Sequence, residues 1–252
     1  MGRILSQSEL TIHKKQALAR LDSYLDSLIN DPNHKNQSKS DKLSYWLEDW
    51  TTYLEFEPKF IPSKLRRYKR GEIIKVHLGY NVGSEEGGLH YCVVLDKNNP
   101  ISSPVITVLP LTSVKSNTNI KNLKDGKVYL GNELFTSLSS KISTTRKKID
   151  IRITDLSSRI DNVSPDDITE LISIKKELNV ANKEKKLLFR MMNEVAKMRS
   201  GSIALTNQIT TISKIRIYDP KTNFDILSNV KLSNDKLDLL DREIIKNFTG
   251  IK

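Results

Sequence analysis

The sequence has little cysteine, few aromatic residues and no long hydrophobic run. Cys92 is the single cysteine among 252 residues, so an internal disulfide is impossible and we expect a reducing, cytoplasmic location. No stretch of about 18 or more consecutive apolar residues occurs, which predicts no membrane-spanning helix and no membrane partner. The first residues lack the apolar core of a signal peptide, so we expect no secretion by that route.

Acidic residues are the scarcer charged class. The chain has 41 lysines and arginines against 30 aspartates and glutamates, for a net charge of +11 at pH 7. A basic chain of this size favours a polyanionic partner, most often nucleic acid. A lysine-rich proteome with no anionic ligand would give the same composition, so charge alone leaves both explanations open.

Two amphipathic helices are predicted ahead of any strand. Ser6 and Glu9 have the spacing of a capping box, and a loop rich in turn-forming residues at 30–41 separates the helices. We assign residues 1–66 to an N-terminal helical extension. In the second helix, apolar residues recur at helical spacing and are expected to pack in a core; they are Leu43, Trp46, Leu47, Trp50 and Leu54.

A β domain with a helical insertion follows. From Gly71 the pattern changes to the two-residue period of strands, and β-branched residues are concentrated in "VITVLPLTSVK". Residues 136–198 return to helical spacing around a turn at 164–167, which predicts an antiparallel, coiled-coil-like hairpin. Strand character resumes in "SIALTNQITTISKIRI", and a helix closes the chain. We therefore expect one β domain in two parts, 67–135 and 199–252, with the hairpin inserted between them.

A glycine-rich turn joins the first two predicted strands. Four of the ten glycines fall between residues 79 and 88, in and around the segment "NVGSEEGGLHYCVVLDK". Glycine permits positive φ and close approach of a ligand to the backbone, and exposed N–H groups in such a turn can bind an anion. His77 leaves the first strand and His90 enters the second, while Ser84 and Thr112 offer hydroxyl groups. We expect these four side chains to meet at one site.

Two histidines can act as general base and general acid near neutral pH. Cleavage of RNA by its own 2′-hydroxyl needs such a pair, together with cations or hydroxyls that stabilise the charged phosphorane. Glu85 and Glu86 are adjacent and would point apart, and no cysteine–histidine set has zinc-binding spacing, so we expect neither a metal nor a cofactor. An ordinary surface position for His77 and a solvated turn around Glu85 are the alternatives.

A basic segment, "KFIPSKLRRYKR" at 59–70, precedes the first strand. It holds six cations in twelve residues. Because it leads into the strand before the glycine turn, we predict that it binds phosphates. A solvated linker is the alternative.

Four segments, in order, resemble one protein family. "KRGEIIKVHLGYNVGSEEGGLHYCVVL" resembles the opening of the PemK/MazF toxins, in which an Arg-Gly-Asp/Glu strand precedes a Gly-Ser-Glu-x-Gly-Gly turn. "VLPLTSVK" is similar to their third strand with its functional threonine, and "GSIALTNQITTISKIRI" to their Gln-Ile-x-Thr-Ile-x-Lys segment. "LSNDKLDLLDREI" is similar to their C-terminal helix. The resemblance covers about 68–134 and 199–252.

The resemblance implies an α+β fold built on a small SH3-like β barrel. The N-terminal helices and the inserted hairpin are additions to that minimal toxin. It also implies a homodimer with metal-independent endoribonuclease activity on single-stranded RNA, which leaves a 2′,3′-cyclic phosphate. An antitoxin protein would be the neutralising partner. Whether the additions contact a ribosome, the antitoxin or the RNA groove stays open.

The resemblance also assigns site residues. The turn serine and glutamate are Ser84 and Glu85, and the third-strand threonine is Thr112, with His77 assisting on the acid–base argument above. The family's usual catalytic arginine follows the Gly-Gly-x of the turn, and here that position is His90. An imidazole can transfer protons but lacks the bidentate grip of a guanidinium on phosphate. The side chains predicted to bind RNA are Arg66, Arg67, Arg70, Lys75, Lys115 and Gln208.

Two rival functions fit the same residues. Because His90 replaces the arginine, the chain could be an inactive toxin-like barrel that binds RNA or a partner protein. A gyrase poison is a weaker alternative, since a related barrel family targets that enzyme and no motif here points to it.

Overall fold

The computed structural model describes residues 5–124, 126–199 and 201–250, and the chain divides into two compact units. The units span Met1–Pro58 and Lys59–Lys252. In the described residues, no helix combines the length and the apolar character needed to cross a bilayer.

The first unit consists of two helices, α1 (Gln7–Ile29) and α2 (His34–Phe56). Ser6 caps α1 with the expected capping box: its backbone N–H donates to the Glu9 carboxylate, with 2.8 Å between N and Oε2. The core packing expected for α2 is wrong at its C-terminal end, where Trp50 and Leu54 are nearly half exposed. Two helices have one shared face to bury, so the outer part of a wide apolar stripe stays in water.

The second unit is an antiparallel sheet with three helices, which confirms the α+β class. The strand order is β4-β5-β3-β2-β1-β7, and β6 pairs with β3. No ladder joins β4 to β7 in the described part of the chain, so the sheet is not closed into the expected barrel. The strands are β1 (Ile73–His77), β2 (Leu89–Val94), β3 (Val105–Ser113), β4 (Lys127–Gly131), β5 (Ser202–Leu205), β6 (Thr210–Ser213) and β7 (Ile217–Asp219).

The three helices are α3 (Glu133–Asn162), α4 (Ile168–Lys197) and α5 (Asn234–Phe248). α3 begins three residues before the predicted insertion. Each of the two inserted helices has 30 residues, which corresponds to about 45 Å at 1.5 Å per residue. They form a hairpin whose helices run in opposite directions, because Arg159 contacts Glu170 at 2.7 Å and Arg152 contacts Glu184 at 3.3 Å.

Both faces of the sheet are covered. On one face, Ile73, Val93 and Leu109 pack in a core that includes Met191 of α4 and Leu240 of α5. We call this the helix-side face. The other face, the strand-side face, is a second core formed by alternate residues of the same strands together with residues of the flanking segments: Tyr68, Ile74, Val76, Cys92, Val108, Ile212 and Ile217. The alternation follows from the two-residue period of a strand.

The base of the hairpin is fixed to the loop that follows β7. The Lys141 ammonium of α3 donates to the backbone carbonyls of Asp225, Ile226 and Ser228 at 3.0, 2.8 and 2.7 Å. Burial lowers the pKa of Lys141 to about 8. A buried cation that satisfies three carbonyls holds the loop and the hairpin base together.

We predict that Cys92 makes the fold labile at alkaline pH. Burial raises the pKa of its thiol well above the usual range, whereas a cysteine thiol in the unfolded chain ionises at about pH 8.5. Above that pH the unfolded state binds fewer protons than the folded state, so stability falls as pH rises, by up to about 1.4 kcal/mol per pH unit. Cys92→Ala should remove this contribution.

Urea unfolding of both proteins between pH 8 and pH 11 measures it. The wild type should lose more stability than Cys92→Ala across the alkaline range, whatever the offset between them at pH 8. Parallel curves would show that the thiol is not protected in the folded state.

Candidate functional site

The glycine-rich turn between β1 and β2 is closed by its own backbone. The Gly88 N–H donates to the Gly79 carbonyl at 2.7 Å, and the Leu78 N–H donates to the Gly88 carbonyl at 2.8 Å. Gly79 and Gly88 have φ angles of 91° and 83°, which a residue with a side chain adopts rarely. A Cβ on Gly87 would lie 2.7 Å from the Gly79 carbonyl oxygen. The turn therefore needs glycine at these positions for its shape alone.

Gln208 holds the turn from outside. Its Nε2 donates to the Ser84 carbonyl at 2.9 Å, and its Oε1 accepts from the Glu86 N–H at 2.7 Å. Both functional groups of the predicted RNA-binding amide are thus occupied within the chain. The Ser84 and Glu85 side chains remain exposed on the turn, and a Glu85 carboxylate oxygen accepts from the Val82 N–H at 3.3 Å.

His90 lies at the start of β2 with acceptor oxygens near both ring nitrogens. Its Nε2 is 3.1 Å from the Glu86 carboxylate and its Nδ1 is 3.2 Å from the Leu111 carbonyl. A carbonyl and a carboxylate can only accept, so a ring protonated on both nitrogens satisfies both contacts. The side chain is 25% exposed, so the ring is held in place and is still open to solvent.

Continuing the β2–β3 register toward the turn predicts that Thr112 lies next to His90 on the strand-side face. The β2–β3 ladder pairs Cys92 with Pro110, and two more residues in the same register bring His90 opposite Thr112. The contact of the His90 ring with the Leu111 carbonyl agrees with this placement. The hydroxyl of Thr112, which is half-buried, has no hydrogen-bond partner within the described residues. The two predicted catalytic residues are therefore brought together.

His77 does not join them. The β1–β2 ladder pairs Val76 with His90 and His77 with Leu89. Successive side chains of a strand point to opposite faces, so His77 lies on the helix-side face and His90 on the other. The expected acid–base pair of two histidines is not assembled, because the turn sets a register that separates them.

Most of the predicted RNA-binding cations make contacts within the chain. Arg66 donates to Glu72 at 2.8 Å, and both side chains are less than one tenth exposed. Arg70 donates to the Leu95 carbonyl at 2.5 Å and also contacts Asp241 of α5. These two arginines of the basic segment hold it against the sheet and helix.

Of the remaining predicted cations, Lys75 packs within the fold, whereas Arg67 and Lys115 are exposed to solvent. The Lys75 ammonium lies 2.6 Å from Glu194 of α4 and 5.0 Å from the centre of the Tyr91 ring. Arg67 and Lys115 are exposed, and Lys115 is two residues beyond the end of β3. These two remain available to a phosphate in the way the sequence predicts.

A cleft of about 270 Å³ opens beside Thr112, on the side away from His90. Its walls include Lys75 and Tyr91 of the sheet and three side chains from the end of the hairpin, Glu194, Lys197 and Arg199. Sequence reasoning missed these three, because the helical pattern of the insertion gave no reason to place its end near the site. The closeness of Arg199 to the strand that begins at Ser202 was the available signal.

A metal site is not indicated by the described side chains. No group of three or more histidine, cysteine, aspartate or glutamate residues in that part of the chain is arranged to hold an ion. Glu86 and His90 meet as a pair, and a pair alone provides too few ligands for a protein metal centre.

Comparison with known proteins identifies the domain that carries this site. Residues 69–180 match the family model described as the PemK-like, MazF-like toxin of type II toxin–antitoxin systems. This part of the chain is similar to the PemK/MazF-like family. The match includes the glycine turn, His90 and Thr112, and it runs on into α4. No curated protein matches the chain.

The match confirms the resemblance found in the sequence over the residues that it covers. PemK/MazF-like proteins are usually endoribonucleases, so an RNA substrate is indicated. A toxin of a type II system also implies an antitoxin as partner.

We predict that two adjacent arginines, Arg66 and Arg67, differ sharply in their effect on stability. Arg66→Met leaves the Glu72 carboxylate buried without its cation, which should cost about 3–5 kcal/mol of unfolding free energy. Arg67→Met removes an exposed side chain and should change stability by no more than about 0.5 kcal/mol. Urea unfolding of the two variants and the wild type at pH 7 measures both values. Equal midpoints would show that the Arg66–Glu72 pair does not stabilise the fold.

Proposed function

We propose that this protein is a metal-independent endoribonuclease toxin that cleaves single-stranded RNA. The 2′-hydroxyl attacks the adjacent phosphorus, the bond from phosphorus to the 5′ oxygen breaks, and a 2′,3′-cyclic phosphate remains. The observation that carries the proposal is the juxtaposition of His90 and Thr112 on one face, next to a rigid glycine turn. The family match supports the same reaction.

His90 is the proposed proton donor. Its two ring nitrogens face acceptors, the Glu86 carboxylate and the Leu111 carbonyl, and an imidazolium donates to both. That form can protonate the leaving 5′ oxygen, and its positive charge can stabilise the phosphorane. Glu86 orients the ring, and after the reaction solvent returns the proton.

The turn and β3 supply the remaining groups. Glu85 is exposed on the turn and is proposed to accept the proton of the 2′-hydroxyl. Ser84, exposed beside it, and Thr112 are proposed to donate hydrogen bonds to the non-bridging phosphate oxygens. His77 has no part in this chemistry, because it lies on the opposite face of the sheet.

We also propose the family's barrel architecture, location and oligomeric state for this protein. The open sheet is proposed to be a variant of the SH3-like barrel, and the inserted hairpin a two-stranded coiled coil. The toxin is proposed to act in the cytoplasm as a homodimer. An antitoxin segment that covers the RNA groove would neutralise it, since the exposed cations Arg67 and Lys115 favour an acidic partner.

We predict that His90→Ala and Thr112→Val abolish cleavage of RNA in EDTA. Each should lower the rate by at least about 100-fold, because a general acid or a donor to the developing charge is lost. His13→Ala and Thr52→Val, both in the helices of the first unit, are matched controls that should cleave at the wild-type rate.

The measurement uses protein freed of any co-purified antitoxin, a mixed RNA pool and EDTA. Product ends are mapped and tested for the 2′,3′-cyclic phosphate. Wild-type protein that leaves the pool intact after long incubation contradicts the proposal. Cleavage that needs added divalent metal contradicts its mechanism.

An inactive RNA-binding module is the second candidate, and histidine in place of the family's arginine favours it. If His90 is the general acid, we predict that His90→Arg, which restores the guanidinium, cleaves RNA no faster than the wild type. A variant that cleaves while the wild type binds RNA without cleaving it would establish the binding module instead. Gel assays of RNA binding and of cleavage, run on both proteins, separate the two outcomes.

A further inference from the structure

The inserted hairpin returns to the sheet at the candidate site. α4 ends at Lys197, and β5 begins at Ser202. β5 pairs directly with the strand that carries the catalytic threonine, with Thr112 opposite Ile203. The short segment that contains Arg199 therefore runs past the end of β3.

The last turns of α4 are fixed on the sheet. Met191 is fully buried in the core of the helix-side face. One turn later, the Glu194 carboxylate contacts Lys75 at 2.6 Å and the Tyr91 hydroxyl. Apolar burial and a part-buried ion pair on consecutive turns hold the end of the helix in one place.

The charges in the cleft do not cancel. Burial raises the pKa of Glu194, but hydrogen bonds from Lys75 and Tyr91 outweigh it and hold that pKa below its usual range. Glu194 is thus a carboxylate whose charge is balanced by Lys75. Lys197 and Arg199 also line the cleft, and both are exposed. Their two positive charges give this cleft the sign that suits a phosphate.

We propose that the hairpin supplies phosphate-binding cations of the RNA cleft, Lys197 and Arg199. This inference rests on the proposed ribonuclease function. A guanidinium binds phosphate through two parallel hydrogen bonds. Arg199 provides such a group in the cleft that Thr112 lines. The cleft lies with Lys75 and Tyr91 on the helix-side face, so the end of the hairpin binds a phosphate of the RNA other than the one that meets His90.

The double variant Lys197→Ala/Arg199→Ala tests the proposal. Its matched control is Lys175→Ala/Lys176→Ala, which removes the same charge from exposed positions of the same helix, about 33 Å from Lys197 along the helix axis. Binding is measured with a fluorescent, fully 2′-O-methylated single-stranded RNA, which cannot be cleaved by 2′-hydroxyl attack. Cleavage is measured with the unmodified RNA in EDTA.

The cleft variant should bind at least about 10-fold more weakly than the control and cleave more slowly. In a plot of log affinity against log salt concentration, the slope for the cleft variant should be smaller in magnitude by about 1.4. Each phosphate contact to a single strand contributes about 0.7 to that slope. Arg199→Lys, which keeps the charge, should retain the slope and lose part of the affinity. Unfolding in urea verifies that each variant is folded.

The outcomes separate the two proposals. Wild-type protein that neither binds nor cleaves RNA overturns the ribonuclease function and this inference with it. Wild-type cleavage, with equal binding and equal salt slopes for the two double variants, overturns the role of the hairpin alone.

Discussion

The antiparallel register of β1 and β2 is the constraint on which the site depends. The turn closes through the bond between Gly88 and Gly79 and fixes Val76 opposite His90. A slip of one residue would move every side chain of a strand to the other face. A slip in β2 would turn His90 toward the helix-side face, where His77 lies. The glycines act by setting this register, and Gln208 stabilises it by binding the turn at two points.

The features that sequence predicted well are local and periodic. Strand alternation, the helical hairpin and the capping box at Ser6 all follow from spacing within a short segment. The placement of His90 near Thr112 followed from the ordered family motifs. The part of the site formed by Glu194, Lys197 and Arg199 did not, because it depends on where a long insertion returns to the sheet. No pattern within a short segment indicates that two residues 119 positions apart in the sequence, such as Lys75 and Glu194, are in contact.

The net positive charge did not indicate which of the cations are available to bind a ligand. Several cations are used inside the fold, where they satisfy carbonyls or balance carboxylates: Lys141 contacts three carbonyls and Arg66 contacts Glu72. Lys214 is 2% exposed and donates to the Pro100 carbonyl at 3.0 Å. A charge count cannot separate such cations from those that face a ligand, since both types look alike in sequence. Burial decides between them, and burial is a property of the folded chain.

The point of insertion explains how so large an addition is compatible with a small sheet. β4 and β5 are neighbours, and Gly131 at the end of one pairs with Ser202 at the start of the other. A short turn could join them. Two helices packed side by side have axes about 8–10 Å apart, so an antiparallel hairpin leaves and re-enters the sheet near the point where that turn would lie. The strands keep their pairing, and the end of α4 lies next to β3, where Glu194 and Lys197 line the same cleft as Thr112. A hairpin placed there must border the site, whereas one placed between β1 and β2 would have destroyed the turn that sets the register.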